Sequence, residues 1–288
     1  MKNKLIKIII LVLTIFITSA CNTNSSMENI KVIVTNYPNE YIIKSLYGKH
    51  ASVESIYPDG VNIDDYKISN KKKNEYAKSA LFVYNGAIEK ERNLAISLLD
   101  KNPELKIIDT AYVLETDYSP EELWLDPSSL LMMAQNVRIG LGEYIPSTVL
   151  KKDIDEKYEA LKVKLSELEA EYRINVDNAK SKDIIVATSK LKYLEKFGFN
   201  VICLDNDAKE KTISDARVLV DSGNISYIYK FNGEELNTNA KELVDNTNIE
   251  EISINKLDNI SDKDRDNNKD YMSIMNDNLE LLKKELYQ

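Results

Sequence analysis

Short β-branched runs alternate with helical stretches along most of the chain. Lys31–Thr35, Ser52–Tyr57, Leu81–Tyr84 and Lys106–Asp109 read as strands. Between them, apolar residues at helical spacing predict a helix through Ile42, Ile43 and Leu46 that stops at Gly48, and further helices over 69–79 and 89–101. Such alternation implies a mainly parallel sheet covered by helices. From about 150 to 178 the pattern changes: the segment is charged, free of Gly and Pro, and apolar at Ile154, Tyr158, Leu161, Leu165, Leu168, Tyr172 and Val176. Steps of four and three trace one face of a single helix. At 1.5 Å per residue it would reach about 43 Å, longer than one domain needs. A dimerising coiled coil is the alternative, although the flanking positions carry no distinctive charge code.

The alternation then resumes. Asp183–Thr188, Val201–Leu204, Ser226–Tyr229 and Glu250–Ile254 are expected strands, with helices at about 190–197, 212–222 and 234–245. A last amphipathic helix, about 270–286, runs through Met272, Met275, Leu279, Leu282 and Leu286. The expected fold is therefore α/β: two lobes, each a mainly parallel sheet flanked by helices, joined by one long backbone helix. We place the N-terminal lobe at 30–147, the linking helix at 148–180 and the C-terminal lobe at 181–288. A stiff connector of this kind permits only a small relative rotation of the lobes.

The first residues have a different character. Lys2, Lys4 and Lys7 precede an apolar run from Ile8 to Ile17, and Thr18-Ser19-Ala20 lead into Cys21. This is the layout of a secretory signal (1–20), with an apolar core too short to span a bilayer. A cysteine directly after small residues resembles a lipobox, in which the thiol is acylated and becomes the mature N-terminus; the alternative is an ordinary cleaved signal. Residues 21–29 then form the lipidated end and a polar, flexible stalk. Acylation with more than one chain is a sufficient anchor, so Cys21 places the protein at the outer face of the cytoplasmic membrane.

Charge and cysteine usage narrow the function classes. The formal net charge is −9, and losing the three signal lysines leaves about −12. An acidic chain lacks the basic footprint of a nucleic-acid binder. Once Cys21 is lipidated only Cys203 remains, so no intramolecular disulfide forms, and Cys203 in its apolar run is expected to pack as a small hydrophobe. With 8 Gly in the whole chain there is no phosphate-cradling loop, and no nucleophile–base pair is evident. The sequence therefore does not read as an enzyme.

Five strings carry a family resemblance. Tyr57-Pro-Asp-Gly-Val-Asn-Ile-Asp-Asp-Tyr66, Ala80-Leu-Phe-Val-Tyr-Asn-Gly86, Leu123-Trp-Leu-Asp-Pro127, Asp264-Arg265, and Lys269-Asp-Tyr-Met-Ser-Ile-Met275 with Asn278-Leu279 follow one another in the expected order. Together they resemble the zinc- and manganese-type solute-binding lipoproteins of metal ABC importers, some first described as adhesins. The resemblance implies a lipid-anchored, monomeric receptor that holds a divalent metal ion between its lobes and delivers it to a membrane permease.

Position by position, the resemblance puts the metal-holding residues at Asp64, Glu122, Lys190 and Asp258, where most members carry histidine at the first three. The one histidine of the chain, His50, sits in a turn outside every string and reads as a solvated residue. A three-histidine zinc site is thus impossible. Asp64, Glu122 and Asp258 are the expected metal ligands, and Lys190 a cleft residue. Carboxylates are hard donors that suit Mn²⁺ or Ca²⁺ and weaken the preference for Zn²⁺, whereas an ammonium at Lys190 repels a cation. Two readings follow. One is a receptor for a divalent cation or related small ligand; the other is a member that binds no metal and serves as an adhesin-like surface lipoprotein. Trp124 is expected to pack beneath the cleft, and Asp126-Pro127 to cap and start a helix.

Overall fold

A computed structural model describes residues 27–287. The proposed signal and Cys21 lie outside the described residues, and the flexible stalk expected over 21–29 ends sooner: Met27 is buried in the core with its carbonyl accepting from Tyr47 OH, and Asn29 N–H donates to the carbonyl of His50 at 2.8 Å. Two four-stranded parallel sheets form the two lobes, in the orders β2-β1-β3-β4 and β6-β5-β7-β8. The first comprises β1 (Ile30–Val34), β2 (Ala51–Ser55), β3 (Leu81–Tyr84) and β4 (Lys106–Asp109). The second comprises β5 (Asp183–Val186), β6 (Asn200–Cys203), β7 (Tyr227–Phe231) and β8 (Glu250–Ile254). All residues of β3 are buried, as helix-covered parallel strands require, and this is why it reads as an unbroken apolar run. In both sheets the strand order turns back beside the first strand, so a crevice opens at the carboxyl ends of β1/β3 and of β5/β7.

Local chemistry fixes the helix ends. In α1 (Tyr37–Tyr47), Asn36 caps the first turn, Pro38 occupies it, and the chain leaves at Gly48. After β2 come α2 (Asn70–Tyr76), then α3 (Glu89–Leu99), the single turn α4 (Glu122–Leu125) and α5 (Pro127–Tyr144). Asp126 caps α5 through Ser128 N, with Pro127 as its first residue.

The long helix α6 (Thr148–Asp177) buries Leu150, Ile154, Tyr158, Leu161, Leu165, Leu168, Tyr172 and Val176 along one stripe. It packs on α1 and α5 at one end, and at the other on α10 (Tyr271–Leu286) and on a 3₁₀ segment, Ser189–Phe197. One core cluster consequently runs unbroken from Val32 and Val34 in the first sheet to Ile184 and Val186 in the second. A shared core resists shear between the lobes more than a linker alone would. The remaining helices are α7 (Glu210–Asp221), α8 (Thr238–Asn246) and α9 (Asp262–Asp266).

Three further expectations need correction. The helix expected from 190 is a 3₁₀ segment, stopped by Gly198 in the left-handed region at φ 101°. The helix expected from 234 begins only at Thr238, because Asn237 takes the capping position; Glu234 is thereby left on a loop. His50 is not simply solvated, since its Nε2 lies 3.0 Å from Asp153 Oδ2 on the long helix. Cys203 is half-buried against the core, and burial pushes its thiol pKa up.

Candidate cleft between the lobes

Two carboxylates come from the first lobe. Asp64 sits on the loop after β2, where Asn62 Oδ1 accepts from its backbone N–H and Lys90 Nζ donates to its carbonyl at 3.2 Å. Its side chain remains largely exposed, at 72%. Glu121 immediately precedes α4 and is nearly buried. The second lobe supplies Lys190 at the carboxyl end of β5, Glu234 after β7, and Lys256 and Asp258 after β8.

These six groups form one ion-pair network. Lys190 Nζ lies 3.2 Å from Glu121 Oε1 and 3.3 Å from Glu234 Oε1. Lys256 Nζ reaches all four acids: Asp258 at 3.2 Å, Asp64 and Glu121 at 3.7 Å, and Glu234 at 3.9 Å. The electrostatics follow from burial and pairing together. Burial pushes the Glu121 carboxyl up, but the ammoniums of Lys190 and Lys256 and a backbone hydrogen bond outweigh it, so its pKa is lowered. For Lys256 burial opposes the charged form, yet Asp258, Glu121 and Asp64 raise its pKa above the usual value. Asp258 is raised, because desolvation exceeds what Lys256 returns.

Of the four positions expected to converge, Asp64, Lys190 and Asp258 do so. Glu122 does not. Its Oε2 accepts from the backbone N–H groups of Asp117 and Tyr118 at 3.0 and 3.1 Å, and its other oxygen pairs with Lys196 of the 3₁₀ segment. Lys196 also pairs with the capping Asp126 at 3.4 Å. Successive residues on a helical turn point about 100° apart, so the turn that sends Glu121 into the cleft sends Glu122 into the packing between α4 and the 3₁₀ segment.

Lys256, Glu121 and Glu234 were not singled out by the sequence. Glu121 adjoins the Leu123–Pro127 string and Lys256 stands two residues before Asp258, so proximity was the available signal. Glu234 follows the Asn232-Gly233 turn, where a sheet of this topology places ligand-facing residues. Among the described residues no group of three His, Cys, Asp or Glu side chains is arranged to hold a metal ion; ammonium groups stand between the carboxylates.

Trp124 is 1% exposed. Its Nε1 donates to the carbonyl oxygen of Lys256 at 2.8 Å, and its own carbonyl accepts from Tyr271 OH at 2.6 Å. Lys256 is therefore seated on a fixed support rather than on a free loop.

The chain is 24% identical to the zinc-binding lipoprotein AdcA of Streptococcus pneumoniae, an alignment covering 93% of this chain and 58% of that protein. The chain thus spans a little over half the length of that relative. Its fold matches the Zn(II)-bound ZnuA-like domain of the same AdcA, with a TM-score of 0.72 and 21% identity over 90% of this chain and 100% of that one. It equally matches the metal-dependent lipoprotein YcdH of Bacillus subtilis, at a TM-score of 0.73 and 19% identity over 90% and 100%. Residues 32–285 match the family model described as ZnuA, zinc-uptake complex component A, periplasmic. With nearly all of its described length covered, the chain belongs to the ZnuA family of uptake components.

Proposed function

We propose that this protein is the extracytoplasmic receptor of a metal-type ABC importer, taking a divalent cation between its lobes and passing it to a membrane permease. One observation carries the reading: four carboxylates, two from each lobe, lie within 3.9 Å of one inter-lobe ammonium, that of Lys256. The family supports the importer role, and the relative's name as a zinc-binding lipoprotein supports a metal cargo. With Asp64, Glu121, Glu234 and Asp258 as donors the ligand set is all oxygen. Such a set suits Mn²⁺ or Ca²⁺ and gives up the imidazoles that favour zinc.

Cys21 is the proposed lipid attachment, holding the receptor as a monomer at the outer membrane face. Incorporation of labelled palmitate should be lost in Cys21→Ala.

Calorimetric titration of the purified protein with Mn²⁺, Ca²⁺ and Zn²⁺ tests the cargo. One ion per chain is expected, with binding weakened at least tenfold in Asp258→Ala. If no ion binds more tightly than about 1 mM, the receptor reading fails and the adhesin-like alternative takes its place.

A further inference from the structure

Two cavities meet at the ion-pair network. One, about 310 Å³, is polar and includes Asn62, Asn232, Asn255 and Asn259 in its lining. The other, about 300 Å³, is mainly apolar and walled by Tyr57, Ile63, Ile88, Pro120 and Trp124. Asp64, Lys256 and Asp258 line both and so form the partition between them.

We propose that Lys256 is the resident cation of the cleft: its ammonium occupies the place a divalent cargo ion must take, and cargo loads by displacing it into the polar cavity. This rests on the reading of the cleft as a cation receptor and adds the residue that sets its affinity.

Three observations carry it. Lys256 Nζ contacts all four carboxylates at 3.2–3.9 Å, whereas Lys190 reaches two. An ion held by those oxygens at about 2–2.6 Å would sit against the ammonium, and like charges so close repel strongly. Loading therefore exchanges one cation for another.

The main chain of Lys256 is also fixed. Its carbonyl accepts from Trp124 Nε1, its N–H donates to Asn232 Oδ1 at 3.3 Å, and Leu257 beyond it holds φ at +60° with its N–H on Asn255 Oδ1 at 2.8 Å. Only the side chain is left to move. Finally, the polar cavity gives it a destination, since the carboxylate of Asp264 and the second lone pairs of the amide oxygens there can accept from an ammonium.

Lys256 belongs to the second lobe and bridges Asp64 and Glu121 of the first. A tethered ammonium performs the cross-linking that a bound ion would otherwise perform.

The test is Lys256→Met, which keeps the aliphatic stem and removes the charge. Titrated with Mn²⁺ and Ca²⁺, this variant is expected to bind at least tenfold more tightly than the unaltered protein. Lys190→Met, touching two of the four acids, is expected to gain less. Should Lys256→Met bind no tighter while the unaltered protein binds, the resident-cation proposal is overturned and the receptor reading stands. Binding by neither overturns both. If Lys256→Met does not fold, the unaltered protein still decides: Ca²⁺ must shift the ε-methylene NMR signal of Lys256, assigned through Lys256→Arg, and an unmoved signal at saturation rejects displacement.

Discussion

The guanidinium of Arg265 meets the carboxylate of Glu40 in two parallel hydrogen bonds, Nη1 to Oε1 at 2.8 Å and Nη2 to Oε2 at 3.1 Å. The same group also grips Asp59, with Nη2 2.8 Å from Oδ1 and Nε on the other oxygen. Arg265 belongs to α9 of the second lobe, and both acids to the first. These contacts, led by the hydrogen bond to Asp59 and working against burial, raise the arginine pKa further above its already high value. A planar fork can serve two carboxylates at once; a point charge cannot.

Arg265→Leu should leave the nearly buried Glu40 dependent on Lys44 alone and destabilise the protein by about 2–3 kcal/mol. That is below the roughly 3–5 kcal/mol of a fully buried pair, because Arg265 remains 36% exposed. Arg265→Lys should recover less than half of the loss. Urea unfolding followed by circular dichroism measures both, and full recovery by lysine would reject the fork as the stabilising element.

Glu121 and Glu122 should separate cleanly when each becomes glutamine. Glu121→Gln removes a cleft charge and is expected to weaken divalent-cation binding about tenfold with little change in stability. In Glu122→Gln the pairing with Lys196 is lost, which should cost about 2 kcal/mol while affinity stays within about twofold. Calorimetric titration beside thermal unfolding reads both quantities. The reverse pattern would restore Glu122 as the ligand.

Glu91 makes the fold sensitive to pH near neutrality. It is 1% exposed, and burial pushes its pKa up to about 7 against hydrogen bonds from Thr35, Asn85 and Asn36. Because the folded-state pKa is the higher, the protonated form favours the fold. The contribution is complete below about pH 4.5 and lost as pH rises through about 7. At about 1.4 kcal/mol per unit, Glu91 should remove about 3 kcal/mol of stability between those limits. Unfolding free energies across this range should fall with a component that vanishes in Glu91→Gln. An unchanged slope in the variant would mean that the group titrates normally.

Much of the fold was written in hydrophobic spacing, and the reasons are physical. Eight apolar contacts along 30 residues leave no alternative period for the long helix. The central strands show as continuous apolar runs because both faces are covered. The 3₁₀ segment was legible in principle, since Leu191, Leu194 and Phe197 recur every three residues; over so few residues that spacing reads equally well as a helical face. The cleft was legible as a location but not as a set of side chains. A string such as Leu123–Pro127 fixes where a turn lies, not which of two adjacent glutamates faces inward. Lys256 lay outside the histidine-bearing positions altogether, and its role depends on a fold that brings β8 opposite the Asp64 loop.

Trp124 carries a practical consequence. It is the only tryptophan among the 288 residues, and one hydrogen bond joins its indole to the backbone of Lys256. The protein therefore contains a single indole, which can be excited at wavelengths where its 17 tyrosines do not absorb, hydrogen-bonded to the residue whose side chain must move. Its emission can report cargo exchange in real time, without any label attached.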